Sequence, residues 1–430
     1  MPLSFPASPT VGDTYTVGTR TWTWDGTIWS MQAATLGVAS ISTAEIADGA
    51  VTTEKIASGA VVEADIASNA VTAAKLGTDV QLGYRNVIIN GAMQVAQRGT
   101  SVTGITTEGY RTADRFTQYI VSLGTWTETV ENDAPTGSGL RKSLKLLCTT
   151  ADASPAASDV CVVRQKFEGQ NLQQFLKGTA SAKQWSLSFW VKSNKTGTYT
   201  VNLYDLNNNR EVSAAYTISA SATWEKKVIT FPADTTGALN NDNAAAVELG
   251  FNLGAGSNFT SGTLNTVWSA ANAANRAVGQ TNVAAATNNY WQITGVQLEA
   301  GSVATPFEFE DYGTTLRKCQ RYYYRLEAGG GAADVASGVA NSDTSIFAVV
   351  HFPTTMRSGP SAIETTGTAS DYFHRRANTG SQAANAVPVY HTASVSSCWM
   401  QCTTTSFHTT GQGGFIGINS GKHLSWSAEL

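Results

Sequence analysis

Residues 371–378, Asp-Tyr-Phe-His-Arg-Arg-Ala-Asn, gather more chemically useful side chains than any other short stretch of this chain. Tyr372 and His374 offer rings that can stack on the apolar face of a sugar, and the guanidinium forks of Arg375 and Arg376 match the paired oxygens of a carboxylate or phosphate. Tyr390, His391 and Trp399 follow in neighbouring segments and extend the set. Together they read as a loop-borne patch for a glycan carrying acidic sugars or phosphates. In the competing reading, Tyr372 and Phe373 anchor the loop to the core and the arginines are simply solvated.

Other constellations are weaker. Cys398-Trp-Met-Gln-Cys402 with His408 has metal-ligand residue types, but the spacing differs from a CxxC knuckle and a fourth ligand is missing. The two cysteines are expected instead to share the buried face of a strand. Gly417-Ile-Asn-Ser-Gly-Lys-His423 falls one residue short of a phosphate loop and reads as a hairpin turn. With no GxSxG elbow, no HExxH pair and no convincing local pair of carboxylates, the expectation is a protein that is not an enzyme and uses no cofactor or metal. Two carboxylates brought together only by folding would make the alternative, an enzyme cleaving a polysaccharide.

Such a patch needs a rigid frame. Residues 314–430 open with Thr314-Thr-Leu-Arg-Lys-Cys-Gln-Arg-Tyr-Tyr-Tyr-Arg-Leu326, where Thr314 or Thr315 caps a short helix and Leu316, Cys319 and Tyr323 share one face. The run from Tyr322 to Arg325 reads as packing between subunits. Strands are expected at 345–352, 414–418 and within 423–430, giving a β-sandwich tip whose longest loops are 365–385 and 394–413. Upstream, residues 84–313 hold four β-branched or aromatic runs at 185–192, 197–204, 224–231 and 290–298, bounded by Gly, Asn, Ser or Asp. These predict an all-β sandwich, with residues 240–289 as long surface loops.

Residues 1–35 form a first module in which Tyr15, Trp22, Trp24 and Trp29 sit on short alternating runs and Asp25-Gly26 makes a turn. The prediction is a minimal three-stranded sheet whose tryptophans form its core or dock on another protein. Between the modules, residues 36–83 repeat a decad: STAEIADGAV, TTEKIASGAV, VEADIASNAV. Ile46, Ile56, Ile66 and Leu76 form one apolar column, and Val51, Val61 and Val71 another. A helix would rotate the first column by roughly 80° per copy, and an unbroken strand would send the two columns to opposite faces. Turns at Asp48-Gly49, Ser58-Gly59 and Ser68-Asn69 restore the parity. One chain cannot bury these columns, but three wrapped about a common axis can, so the segment predicts a three-chain stem and a homotrimer.

The totals exclude several partners. Charged residues are 14% of the 430, against roughly 25% in ordinary globular proteins, and the net charge is -4. With no basic cluster beyond short runs such as Arg375-Arg376, nucleic-acid binding is not expected. No apolar stretch approaches the ~20 residues of a membrane span, and the start lacks the charged and apolar regions of a signal peptide. Five scattered cysteines do not suit a disulfide framework and fit assembly in a reducing cytoplasm.

Four stretches then carry a likeness over nearly the whole chain. They are FPASPTVGDTYTVGTRTWTWDGTIWSMQ; the decads; RNVIINGAMQVAQRG through ADRF and LSFWVKSNKTGTYTV to ITGVQLEAGSVATPFEFEDYGTTLRKCQRYYYR; and MRSGPSAI with HLSWSAEL. The chain resembles a bacteriophage tail fibre or receptor-binding protein, and the third stretch is similar to virion proteins with a carbohydrate-binding-module-like jelly roll. The resemblance implies an elongated all-β homotrimer in the virion tail. It implies that the N-terminal module attaches to other tail or baseplate proteins and that the C-terminal end binds host polysaccharide or lipopolysaccharide during adsorption. It transfers no ligand residues. A tailspike-like hydrolase, and a head-decoration or structural virion protein without receptor binding, are the alternatives.

Overall fold

A computed structural model describes residues 4–32, 83–376 and 380–430. The chain divides into two compact units, Met1–Val80 and Gln81–Leu430. In the first, Thr14–Val17, Arg20–Trp24 and Trp29–Met31 form an antiparallel three-stranded sheet. The turn forms because Asp25 Oδ1 accepts the amides of Thr27 and Ile28, each at 2.8 Å, and Gly26 supplies a φ of 105° that a side chain would disfavour. Trp22, Trp24 and Trp29 are half-buried. Phe5 stacks on Trp29 at 5.2 Å and meets Tyr15 and Trp22 edge-on, while Trp24 lies 5.7 Å from Trp29, so the tryptophans build the module's own aromatic core. The proposed stem core, Ile46, Val51, Ile56, Val61, Ile66, Val71 and Leu76, lies outside the described residues.

The second unit begins with a β-sandwich. One sheet has the spatial order Glu225–Phe231, Trp185–Ser193, Tyr290–Ala300, Ser143–Thr150, Thr125–Glu131, Ser101–Ile105. The other runs Ser269–Ala270, Arg210–Ile218, Gly197–Asp205, Ala245–Ala255, Val160–Glu168, Thr117–Val121, Gly109–Tyr110. Their inner faces share one core, where Phe251 meets Phe189 at 5.1 Å and Trp291 at 5.7 Å. The expected runs at 185–192, 197–204, 224–231 and 290–298 are all strands. Residues 240–289 are not only loops, because Ala245–Ala255 is a central strand buried along nearly its whole length. Val247, Leu249, Phe251 and Leu253 alternate toward the core with Glu248, Gly250, Asn252 and Gly254 on the other face, and both faces are covered. Gly250 and Gly254 lie where a Cβ would press on Val162 and Leu123, and small residues there let the neighbouring layers close.

The C-terminal lobe follows the helix Tyr312–Gln320. Its N-cap is Asp311, whose Oδ1 accepts the Thr314 amide at 2.9 Å, not Thr314 or Thr315 as expected. A carboxylate there also complements the positive end of the helix, which the threonines would not. A small sheet orders Tyr323–Glu327, His423–Ser427, Glu364–Thr365, and a larger one orders Ser381–Ala383, Tyr372–Arg376, Gly413–Ile418, Ala333–Ala340, Ser345–His351, Ser397–Thr403, Val389–Ala393. Ile346, Ile416, Met400 and Trp426 form the core between them. Two regions expected as loops, 365–385 and 394–413, therefore carry strands. The turn after Gly413–Ile418 is present, but it joins strands of different sheets and is no hairpin.

Sandwich and lobe meet through polar groups that leave water together. The buried Glu168 carboxylate accepts Arg321 Nε and Nη2, each at 2.7 Å, and the Tyr322 hydroxyl. Burial alone would raise its pKa, but these bonds and one from Gln170 hold it below the ordinary range. Arg115 is 1% exposed, pairs with Glu429, donates to the Lys166 carbonyl at 2.8 Å and lies 3.5 Å over the Tyr322 ring. The run from Tyr322 to Arg325, expected between subunits, thus packs within the chain, with Tyr324 stacked on Trp426 at 5.8 Å. All five cysteines are unpaired and buried, and burial raises every thiol pKa, that of Cys402 to about 12. No helix of the described residues is long and apolar enough to cross a membrane.

Candidate functional site

The strand Ser397–Thr403 alternates cleanly, with Cys398, Met400 and Cys402 buried and Trp399 turned outward. The antiparallel partner Ser345–His351 places Val349 opposite Trp399 and Phe347 opposite Gln401. On the other side, Tyr390 pairs with Met400 and Thr392 with Trp399, so one extra residue, His391, is bulged between them. A bulge turns a side chain away from regular alternation. Here it sets the His391 ring 4.3 Å from the Trp399 ring and 5.4 Å from Phe347, and Phe347 lies 4.8 Å from Trp399. Trp399 remains 37% exposed, and Val339, Val349 and Val389 are exposed on neighbouring positions. The hydroxyl of the exposed Tyr390 accepts the Ala393 amide at 3.1 Å, which orients its ring along the same edge strand.

This is an aromatic platform with little charge. Contiguous exposed apolar surface on one sheet face marks an interaction site, and rings held by strand pairing lose little freedom when a ligand covers them. A pyranose presents a face of C–H groups that can lie on Trp399 and His391 while its hydroxyls stay in water.

The segment 371–378 behaves differently. Within it, Tyr372–Arg376 is a strand paired with Gly413–Ile418, and residues 377 and 378 lie outside the described residues. Tyr372 and His374 are fully buried, which removes them from any surface patch. The Tyr372 hydroxyl donates to the His423 carbonyl at 2.8 Å, and the Phe373 ring occupies the space left by the missing side chain of Gly417. His374 Nδ1 lies 2.9 Å from His408 Nε2, so His408 partners a histidine and not the cysteines Cys398 and Cys402. Burial, and next the His408 ring, lower the His374 pKa to about 4. Arg375 is exposed and 3.3 Å from Asp334, and Arg376 lies 4.2 Å over Phe407. Three strands separate this strand from Ser397–Thr403 within the sheet, and no hydrogen bond, ion pair or ring contact joins the two groups among the described residues.

The expected set is therefore split: His391 and Trp399 gather on one face with Phe347, Tyr390 pairs with the inward-facing Met400, and Arg375 and Arg376 stand apart. Phe347 was not singled out in the sequence. Its signal was the alternation Ile346 in, Phe347 out, Ala348 in, which only a known strand partner turns into a site.

No family model and no curated protein matches the chain. Among solved structures it is similar to the enzymatically active domain of bacteriophage CBA120 tailspike protein 4, at 16% identity over 50% of this chain and 22% of that one, with a TM-score of 0.28. It is similar to a family 11 carbohydrate-binding module from Clostridium thermocellum in complex with a β-1,3-1,4-mixed-linked tetrasaccharide, at 10% identity over 48% and 98%, TM-score 0.24. It is also similar to TmCBM61 in complex with β-1,4-galactotriose, at 8% identity over 50% and 99%, TM-score 0.25. The match spans 22% of the length of the tailspike chain.

Proposed function

We propose that the chain is a non-enzymatic virion fibre protein that holds a host-surface glycan on the Trp399–His391–Phe347 platform. The observation that carries the reading is the platform itself: an exposed tryptophan and a bulged histidine 4.3 Å apart, flanked by exposed valines on the sheet face. Three things support the setting. The sequence resembles tail fibres along nearly its whole length, its surface composition is polar but poor in charge, and its decads suit three chains about one axis. In such a homotrimer, fixed to tail or baseplate proteins through its first residues, three modest sites act together and raise the apparent affinity.

Adsorption of the purified full chain to cells the particle infects tests the proposal, with light scattering reporting three copies per particle. Trp399→Ala should weaken adsorption about tenfold or more, as loss of a central aromatic anchor does. Unchanged adsorption by a folded Trp399→Ala protein would remove the platform as the site. New reducing ends on incubation with host polysaccharide would mean a hydrolase instead.

A further inference from the structure

A second concavity lies where sandwich and lobe meet, a cleft of about 440 Å³ lined chiefly by Arg98, Tyr110, Arg111, Tyr323, Arg325 and His423. Its guanidinium groups are unequally satisfied. Arg98 lies flat on the Tyr323 ring at 3.5 Å and reaches Glu429 at 3.3 Å, yet the same carboxylate also serves the buried Arg115. Arg325 pairs with Glu327 at 3.1 Å. Arg111 has no carboxylate within ion-pair distance among the described residues. Its Nη2 donates to the carbonyls of Thr107 and Glu108 and to the Thr107 hydroxyl at 3.1 to 3.4 Å, and its Nε is buried without an acceptor. Glu364, on the cleft wall, accepts the Ser425 hydroxyl at 3.2 Å. Three guanidinium groups, Arg98, Arg111 and Arg325, line the cleft against one lining carboxylate, Glu364, while Glu327, Glu429, Asp114 and Glu128 act on those arginines from outside the lining.

We propose that this cleft binds an oxyanion carried on a sugar, a uronate carboxylate or a sugar phosphate, with Arg111 as its principal donor. A guanidinium with no carboxylate at ion-pair distance, and with no hydrogen bond to its Nη1 among the described residues, leaves donor capacity that such an anion accepts. The rings of Tyr110 and Tyr323 flank it and limit how a ligand can enter. His423, neutral near pH 7 because burial and next Arg325 lower its pKa, contributes a hydrogen-bonding edge without charge. The sugar part of the assignment rests on the glycan reading above. The anion part rests on the cleft alone.

Calorimetric titration of the full chain with trigalacturonate and with mannose 6-phosphate separates the two anion sources, and maltotriose serves as the neutral probe. The expected result is binding of at least one acidic probe that weakens with added salt, falls about tenfold or more in Arg111→Ala, and is not shared by maltotriose. Arg325→Gln is the second variant should Arg111→Ala not fold. Trp399→Ala should leave this binding intact, so failure of the platform and failure of the cleft show in different proteins. Absence of binding by both acidic probes, or equal affinity in wild type and the arginine variants, overturns the proposal.

Discussion

His374 Nδ1 and His408 Nε2 hold one ring proton between them, an arrangement lost once both rings are protonated. Burial lowers the pKa of His374 to about 4, and burial with the nearby Arg376 lowers that of His408. The unfolded chain therefore takes up protons before the folded one does. The stabilisation is complete above the ordinary value of 6.5 and is lost as pH falls from there toward about 4. For His374 alone this is roughly 2 kcal/mol between about pH 7 and pH 5. Urea unfolding at those two values should show the loss in wild type and a smaller one in His374→Gln, which keeps a hydrogen bond to His408 with one fewer titrating ring. An equal loss in both proteins would place the acid sensitivity elsewhere. The same pair explains why His374 was misread as a surface ligand: its partner is remote in sequence, on the loop between Ser397–Thr403 and Gly413–Ile418.

Strands rich in aromatic and β-branched residues were readable in advance. In Trp185–Ser193 and Tyr290–Ala300, large apolar residues recur between punctuating Gly, Asn and Ser, and the structure has strands there. Ala245–Ala255 was missed although Val247, Leu249, Phe251 and Leu253 alternate with small or polar residues, because the strand lies within a stretch dense in Asn, Ala and Gly that reads as loop. Tyr372–Arg376 was missed because its polar and aromatic residues pair with Gly413–Ile418, whose glycines make room for Phe373 and carry no pattern of their own. The platform was half legible. Trp399 and His391 stood out as residue types, but the bulge that joins them depends on the register of Val389–Ala393 against Ser397–Thr403, which no local signal sets. The adjoining strand shows how tightly this face is held. A Cβ added at Gly338 would come 1.9 Å from the backbone oxygen of Phe347. Gly338→Ala should thus destabilise the lobe by about 1–3 kcal/mol and displace Phe347 beneath the ligand. Thermal unfolding checks the first effect and glycan binding the second; an unaltered melting temperature would mean the strands can part freely at that point.

Across the second unit, buried ion pairs and hydrogen bonds join sandwich and lobe. Glu429 is the hinge pin, pairing with the buried Arg115 and the cleft residue Arg98. Glu429→Ala leaves Arg115 buried without a carboxylate, an error that costs about 3–5 kcal/mol in comparable buried pairs. Hydrogen exchange should then quicken in Tyr323–Glu327 and His423–Ser427 before it does in the sandwich core, whereas uniform protection would show that other contacts hold the seam. Because Arg98 lines the cleft, an anion bound there would draw on the same guanidinium that helps Glu429 hold the two parts together. The five thiols have a different bearing on the molecule as a whole. Exchange chemistry proceeds through thiolates, and every cysteine here is both walled off from solvent and kept in its protonated form. The fold can leave a reducing interior for open air and acquire no new covalent links, so oxidation neither locks it nor scrambles it.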